Sequence, residues 1–256
     1  MNKLLLIIIC VLMIFSGCKF EKPIKISGTC LDYKWANHSD YLAVLAVKKN
    51  WKQTIYIIDP KLSKIVKKIQ LKEKLSANCL CWDSNDKRLI ISMSEEYQVN
   101  DLYYYSLTTE RFEKFPDDFE KLYSGISGLL HEPLSRRWAA LYYAEGHPDV
   151  AVYNDETNIL NTSVFPGNID FVCWHKGALV VSSNIPLNKG LTMAERKDIA
   201  DTGDDNYYRI DINTKKAEVV DNGSISLESL SQSGKYTADV KFSDEESFEV
   251  IIRTLK

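Results

Sequence analysis

Short apolar runs separated by polar turns recur along most of the chain, and one stretch shows the unit most clearly. From Cys79 a strand-like run ends at Trp82, and the polar turn Asp83-Ser84-Asn85-Asp86-Lys87 follows. A second apolar run covers Arg88 to Met93, a third Leu102 to Leu107, and a weaker fourth lies around Phe112 to Phe115. Runs this short, rich in β-branched and aromatic residues and bounded by turn formers, predict strands rather than helices. Four in succession predict an antiparallel meander. One such sheet cannot bury both its faces, so it needs neighbours of the same shape.

The pattern returns at near-regular intervals. The position of Trp82 is held by Trp35, His131, Trp174 and Leu230 in the other copies. Unit one adds the turn Ala36 to Asp40 and strands Tyr41 to Val47, Thr54 to Asp59 and Lys64 to Leu71. Unit three adds the turn Glu132 to Arg136 and strands Arg137 to Tyr143, Asp149 to Asn154 and Asn158 to Phe165; His147-Pro148 reads as a loop. Unit four has the short turn His175 to Gly177, the strand Ala178 to Ser183 and a further strand near Tyr207. Unit five has the turn Ser231 to Lys235 and strands Tyr236 to Phe242 and Phe248 to Thr254. A period of roughly 40–50 residues with several strands per repeat is the signature of a propeller. The expectation is an all-β, five-bladed β-propeller of four-stranded antiparallel blades. Unit five stops one strand short, and the lone run Pro23 to Gly28 stands where a fourth strand should precede unit one. The last blade is therefore expected to be closed by this N-terminal strand, which removes an open edge.

The turn-and-strand pattern resembles the TolB-type, or WD40-like, propeller repeat. The residues carrying the resemblance are Trp35 to Asp40, Trp82 to Lys87 and Ser231 to Lys235, with Ile55-Tyr56, Leu102-Tyr103 and Val152-Tyr153 opening third strands. The resemblance implies an architecture rather than an activity, because these are turn and packing residues. Asp, Asn and Ser side chains bond their own backbone in such turns. The tyrosines at 103–105, 207 and 208 are read as cross-strand packing.

The first residues carry an address. Lys3 precedes the apolar run Leu4 to Phe15, which is shorter than the roughly 20 residues a spanning helix needs. Phe15-Ser16-Gly17-Cys18 resembles the lipobox of bacterial lipoproteins. The resemblance implies a signal peptide over residues 1–17, lipid on Cys18, a tether over 18–22 and a propeller domain over 23–256. Each buried lipid CH₂ contributes about 0.8 kcal/mol, so several chains hold a protein at a membrane surface. The implied location is the cell envelope, outside the cytoplasm, periplasmic or surface-facing.

Charge and cysteines refine this picture. A net charge of −3 offers no basic field for nucleic acid. Cys10 and Cys18 fall in the export signal, leaving Cys30, Cys79, Cys81 and Cys173. Disulfides are open to these four outside the cytoplasm, in three pairings. The preferred reading is of small buried hydrophobes. No cysteine or histidine pairs stand at metal-ligand spacing.

Candidate chemistry is sparse. Asp32 and Asp170 precede Trp35 and Trp174 by three and four residues, and both could face a central channel as the paired carboxylates of a glycosidase. Roughly 22 residues separate Asn184 from Tyr207, a long connection for such a unit. Within it Thr192 and Glu195 form a capping box for a short helix over Met193 to Ile199. The acidic run Asp201 to Asn206 carries oxygen ligands of the kind Ca²⁺ prefers, though it reads first as a solvated turn. His131 reads as a packed core residue. Asn37, Asn161 and Asn222 match the glycosylation triplet by chance. The leading expectation is a lipid-anchored, non-catalytic binding or scaffolding module without cofactor, whose partner is another envelope protein or a glycan. The alternative is a carbohydrate-active enzyme with carboxylates at the channel mouth.

Overall fold

The first unit shows why these segments become strands. β2 (Thr29–Trp35) leads into β3 (Leu42–Val47), β4 (Gln53–Asp59) and β5 (Lys64–Gln70). β3 reads Leu-Ala-Val-Leu-Ala-Val and is buried along almost its whole length, as befits a strand covered on both faces. β5 turns Ile65, Lys67 and Ile69 inward and leaves Lys64, Val66, Lys68 and Gln70 exposed, so it buries one row of side chains. Charged residues on an outer strand also discourage pairing with another chain. The structure is a computed structural model that describes residues 23–95, 101–115, 126–132, 135–144, 147–154, 159–164, 169–175, 178–187, 206–211, 214, 216–220, 233, 235–244 and 246–255.

The same arrangement repeats. The second sheet runs β6 (Leu75–Trp82), β7 (Arg88–Glu95), β8 (Asp101–Ser106) and β9 (Phe112–Lys114). The third runs β10 (Ile126–His131), β11 (Arg137–Ala144), β12 (His147–Asn154) and β13 (Ile159–Val164). The fourth runs β14 (Asp170–His175), β15 (Ala178–Ser183), β16 (Asn206–Asp211) and β17 (Lys216–Val220). Each is a four-stranded antiparallel meander in chain order. A further sheet among the described residues has three strands, in which β1 (Ile24–Ser27) pairs antiparallel with β19 (Ser247–Thr254), itself paired with β18 (Tyr236–Asp244). The described residues contain no helix.

The sheets pack face to face, and the first strands stand side by side: β2 against β6, β6 against β10, β10 against β14. The apolar cores therefore lie between sheets. Leu45, Ile55 and Ile57 of the first sheet meet Leu80, Trp82 and Ile91 of the second. Between the second and third sheets Phe115 is the hub, 4.3 Å from the Tyr104 ring and 5.5 Å from that of Trp138. Leu42, Val44 and Ile58 of the first sheet pack against Phe248 and Val250 of β19. Hydrogen bonds cross these seams too. The buried Gln53 amide donates to the Ala77 carbonyl at 3.0 Å and accepts the Ala77 N–H at 2.6 Å.

Gly28 links β1 to β2 with a φ of 108°. A Cβ there would lie 2.3 Å from the Val47 carbonyl oxygen, so no larger residue fits without movement.

Several expectations change. His147-Pro148 is not a loop but the start of β12, paired with Ala144 and Tyr143. β13 reaches only as far as Asp149, so Pro148 lies next to the strand start where β12 is an edge, a place that admits proline. β17 (Lys216–Val220) supplies the fourth strand that the blade pattern predicts but that no run in the sequence marked. The signal segment with Cys18, the helix over Met193 to Ile199, residues 201–205 of the acidic run and the marker Leu230 lie outside the described residues.

Candidate functional site

Asp32 and Asp170 occupy the same register step although their spacing to the marker tryptophans differs. Asp32 pairs with Leu45 of β3 and Asp170 with Ser182 of β15, each three residues beyond the partner of its marker tryptophan, Leu42 and Leu179 respectively. The extra residue before Trp174 is absorbed by a register shift between Phe171 and Cys173. Similar shifts fall between Cys30 and Asp32, Ala77 and Cys79, and Ile126 and Gly128. An irregularity of this kind in each first strand re-aims side chains locally.

The two acids nevertheless do different things. Asp170 is exposed at the start of β14. Asp32 ties two sheets together. Its Oδ1 accepts from the Tyr33 N–H at 2.8 Å and from Lys34 Nζ at 2.7 Å, and its Oδ2 accepts from the Leu80 N–H of β6 at 3.0 Å. Burial pulls the Lys34 ammonium down, and the Asp32 charge and hydrogen bond more than offset this, leaving its pKa raised. Next door, Trp82 donates its indole N–H to the Lys34 carbonyl at 2.9 Å.

Asp32 also borders an open groove of about 450 Å³ between β2 and β18, lined by Cys30 to Tyr33 and by Asp239 to Phe242. Its chemistry is quiet. Burial, reinforced by the Asp32 charge, pushes the Cys30 thiol up to about 12, so it stays protonated. Burial also raises the Tyr33 phenol. Asp239 is paired with Arg253 at 2.5 Å. The apolar rim is more prominent, with Leu31 and Phe242 both exposed. Such a groove can hold a ligand but offers no activated nucleophile.

The polar turns form a second constellation. Asp83 is buried and accepts at Oδ1 from the N–H groups of Lys87 and Arg88, while its Oδ2 takes Arg88 Nε at 2.9 Å. Unit three repeats this with Glu132 and Arg137, joined by two bonds of 2.6 and 2.8 Å. Unit one has Ala36 in place of the acid. There Asp86 of the neighbouring turn compensates, its carboxylate accepting from the N–H groups of Asn37, His38 and Ser39, each at 2.7 Å. Three successive amides around one anion form a nest. The Asn37 amide is itself buried and donates to the Asp83 carbonyl at 2.9 Å, which closes it to glycosylation.

His131 takes the marker position of unit three. Trp82 and Trp174 each donate an indole N–H across a seam, Trp174 to the Leu130 carbonyl at 3.2 Å. His131 is buried, and among the described residues neither ring nitrogen has a hydrogen-bond partner. Burial lowers its pKa to about 4, opposed by Asp83 and, more weakly, by Glu132 and Asp86. Cys79 and Cys81 are buried side by side in one core, and burial raises the Cys79 thiol far above its usual range. Among the described residues no three His, Cys, Asp or Glu side chains gather to hold a metal ion.

Sequence reasoning missed Gln53, Asp86 and Trp138 as inter-sheet residues. The acid two residues before Lys34 on one strand face was a usable signal for the Asp32 pair. Nothing local marks Gln53, whose partner lies 24 residues away.

No family model and no curated protein matches the sequence. Solved structures do. TolB from Acinetobacter baumannii superposes with a TM-score of 0.52 at 17% identity, covering 83% of this chain and 49% of that one. The chain thus spans about half the length of the TolB chain it matches. The β-propeller domain of the Trilobed protease from Pyrococcus furiosus gives 0.47 at 12% identity, covering 90% and 70%, and the Dos1 propeller gives 0.47 at 12%, covering 87% and 68%. With its repeated meanders and its cores between sheets, the chain has a β-propeller fold, similar to that of the TolB chain it superposes on.

Proposed function

We propose that this chain is a lipid-anchored, five-bladed propeller of the bacterial cell envelope that binds another macromolecule and turns over no substrate. Residues 1–17 are its signal peptide, Cys18 carries the lipid, 18–22 form the tether and 23–256 the binding domain. The pairing of β1 with β19 supports a ring closed by the N-terminal strand. One observation carries the non-catalytic reading. Asp32, the acid best placed for glycosidase chemistry, spends both carboxylate oxygens holding β2 to β6. A general acid or nucleophile needs a free oxygen aimed at substrate.

The test combines anchoring and chemistry. Labelling cells with a radioactive fatty acid should mark the wild-type chain and not Cys18→Ala, and the variant should leave the membrane fraction. Purified protein offered a panel of chromogenic glycosides should release nothing above buffer. Turnover that disappears in Asp32→Asn with the fold intact would reverse the reading in favour of the enzyme.

A further inference from the structure

Trp51 is the most exposed large apolar side chain among the described residues, with 85% of its surface in water. It stands at the tip of the β3–β4 hairpin. The Trp51 N–H donates to the Lys48 carbonyl at 2.9 Å and the Lys48 N–H donates to the Lys52 carbonyl at 3.0 Å. This is a three-residue loop whose last position must adopt a left-handed conformation, normally that of glycine or asparagine. Trp51 takes it with a φ of 62°. The other non-glycine residues with positive φ, Ser63, Asp86 and Glu110, are all polar. A bulky aromatic in such a place contributes nothing to packing and strains the turn. Strain and exposure together point to use.

The surroundings define that use. Lys49 pairs with Glu246 and Lys52 with Glu73, which fixes the tip against two neighbouring turns. Lys48 and Lys72 are exposed on the same end, with no acidic partner among the described residues. A chain of net charge −3 thus presents a basic patch around one tryptophan. Direction matters as well. β1 enters its sheet at Ile24, opposite Val250, and leaves at Ser27, opposite Ser247 beside the turn that holds Glu246. The tether side of β1 is therefore the end further from Trp51. On the anchored reading proposed above, the tether joins the sheet from that side.

We propose that the Trp51 hairpin is the docking point for an acidic segment of a protein partner, with the indole as the apolar anchor and Lys48 and Lys72 supplying charge complementarity. Tryptophan is enriched among residues that dominate interface energetics. Rim lysines steer an oppositely charged partner.

The experiment places a photoreactive benzoylphenylalanine at position 51 of the full-length chain and irradiates intact cells. The expected result is a discrete protein adduct whose crosslinked peptide, sequenced by mass spectrometry, is rich in Asp and Glu. Yield should fall at least tenfold in Lys48→Glu/Lys72→Glu. Binding of the identified partner should fall at least tenfold in Trp51→Gly, while its melting temperature stays equal or rises. No adduct, a peptide without acidic excess, binding of the purified chain to phosphatidylglycerol vesicles through Trp51, or unfolding of Trp51→Gly would each overturn the proposal. Membrane fractionation of Cys18→Ala bears on the anchor alone, so failure of the anchor and failure of the docking site are read separately.

Discussion

Gln53 and Ala77 exchange two hydrogen bonds across the seam between the first and second sheets, one from the side-chain amide and one to it. Both groups of the peptide lie in a dry interior, so nothing else can satisfy them. Gln53→Ala orphans a buried N–H and a buried carbonyl at once. The expected loss is about 3 kcal/mol, since each orphaned group costs about 1–3 kcal/mol. Urea denaturation should show a lower midpoint with an unchanged slope.

Asp32→Ala removes a tie and strands the Lys34 ammonium. Lys34 keeps 30% of its side-chain exposure, which lets water screen part of the loss. The expected destabilisation is about 2 kcal/mol. Asp32→Asn keeps an acceptor for the Leu80 N–H and should lose about half as much. The same denaturation measurement separates the two variants.

His131 makes the fold sensitive to acid. Its folded pKa of about 4 lies below the ordinary 6.5, so the unfolded chain binds the extra proton between those values. Stability from this group is complete above pH 6.5 and is lost as pH falls towards 4. The size is about 3 kcal/mol, from the shift and about 1.4 kcal/mol per unit. His131→Phe should flatten the profile of melting temperature against pH across that window, leaving the contribution of the other ionisable groups.

Trp51→Gly should stabilise the isolated protein. A left-handed conformation costs a residue with a Cβ about 1–2 kcal/mol, and the greater freedom of glycine in the unfolded chain returns part of it. A net gain of about 0.5–1 kcal/mol is expected, read as a rise in melting temperature by calorimetry.

The repeat was legible because packing between sheets favours a large side chain at the same place in each copy. Trp82 and Trp174 stand out in the sequence for the reason they matter in the structure: each indole reaches over to the preceding sheet. The strand ends followed from turn chemistry, as at Asp83 and Asp86. The fate of Asp32 was not legible, because its decisive partner is the Leu80 backbone 48 residues later. The register shift that aligns Asp170 with Asp32 has no residue signature either. Trp138 escaped notice because it sits on a second strand, where three other copies place Leu42, Leu89 and Leu179, and only the packing of Phe115 and Tyr153 around it reveals its weight.

The pairing of Ile24 with Val250 has a kinetic corollary. A strand that leaves the ribosome early must wait for a partner more than two hundred positions downstream, and closing so wide a loop is slow. Until then the edge of β1 is open to strangers, and misfolding competes with closure. Gly28, by letting the backbone pass within touching range of Val47, sets whether the latch shuts when the late strand finally arrives.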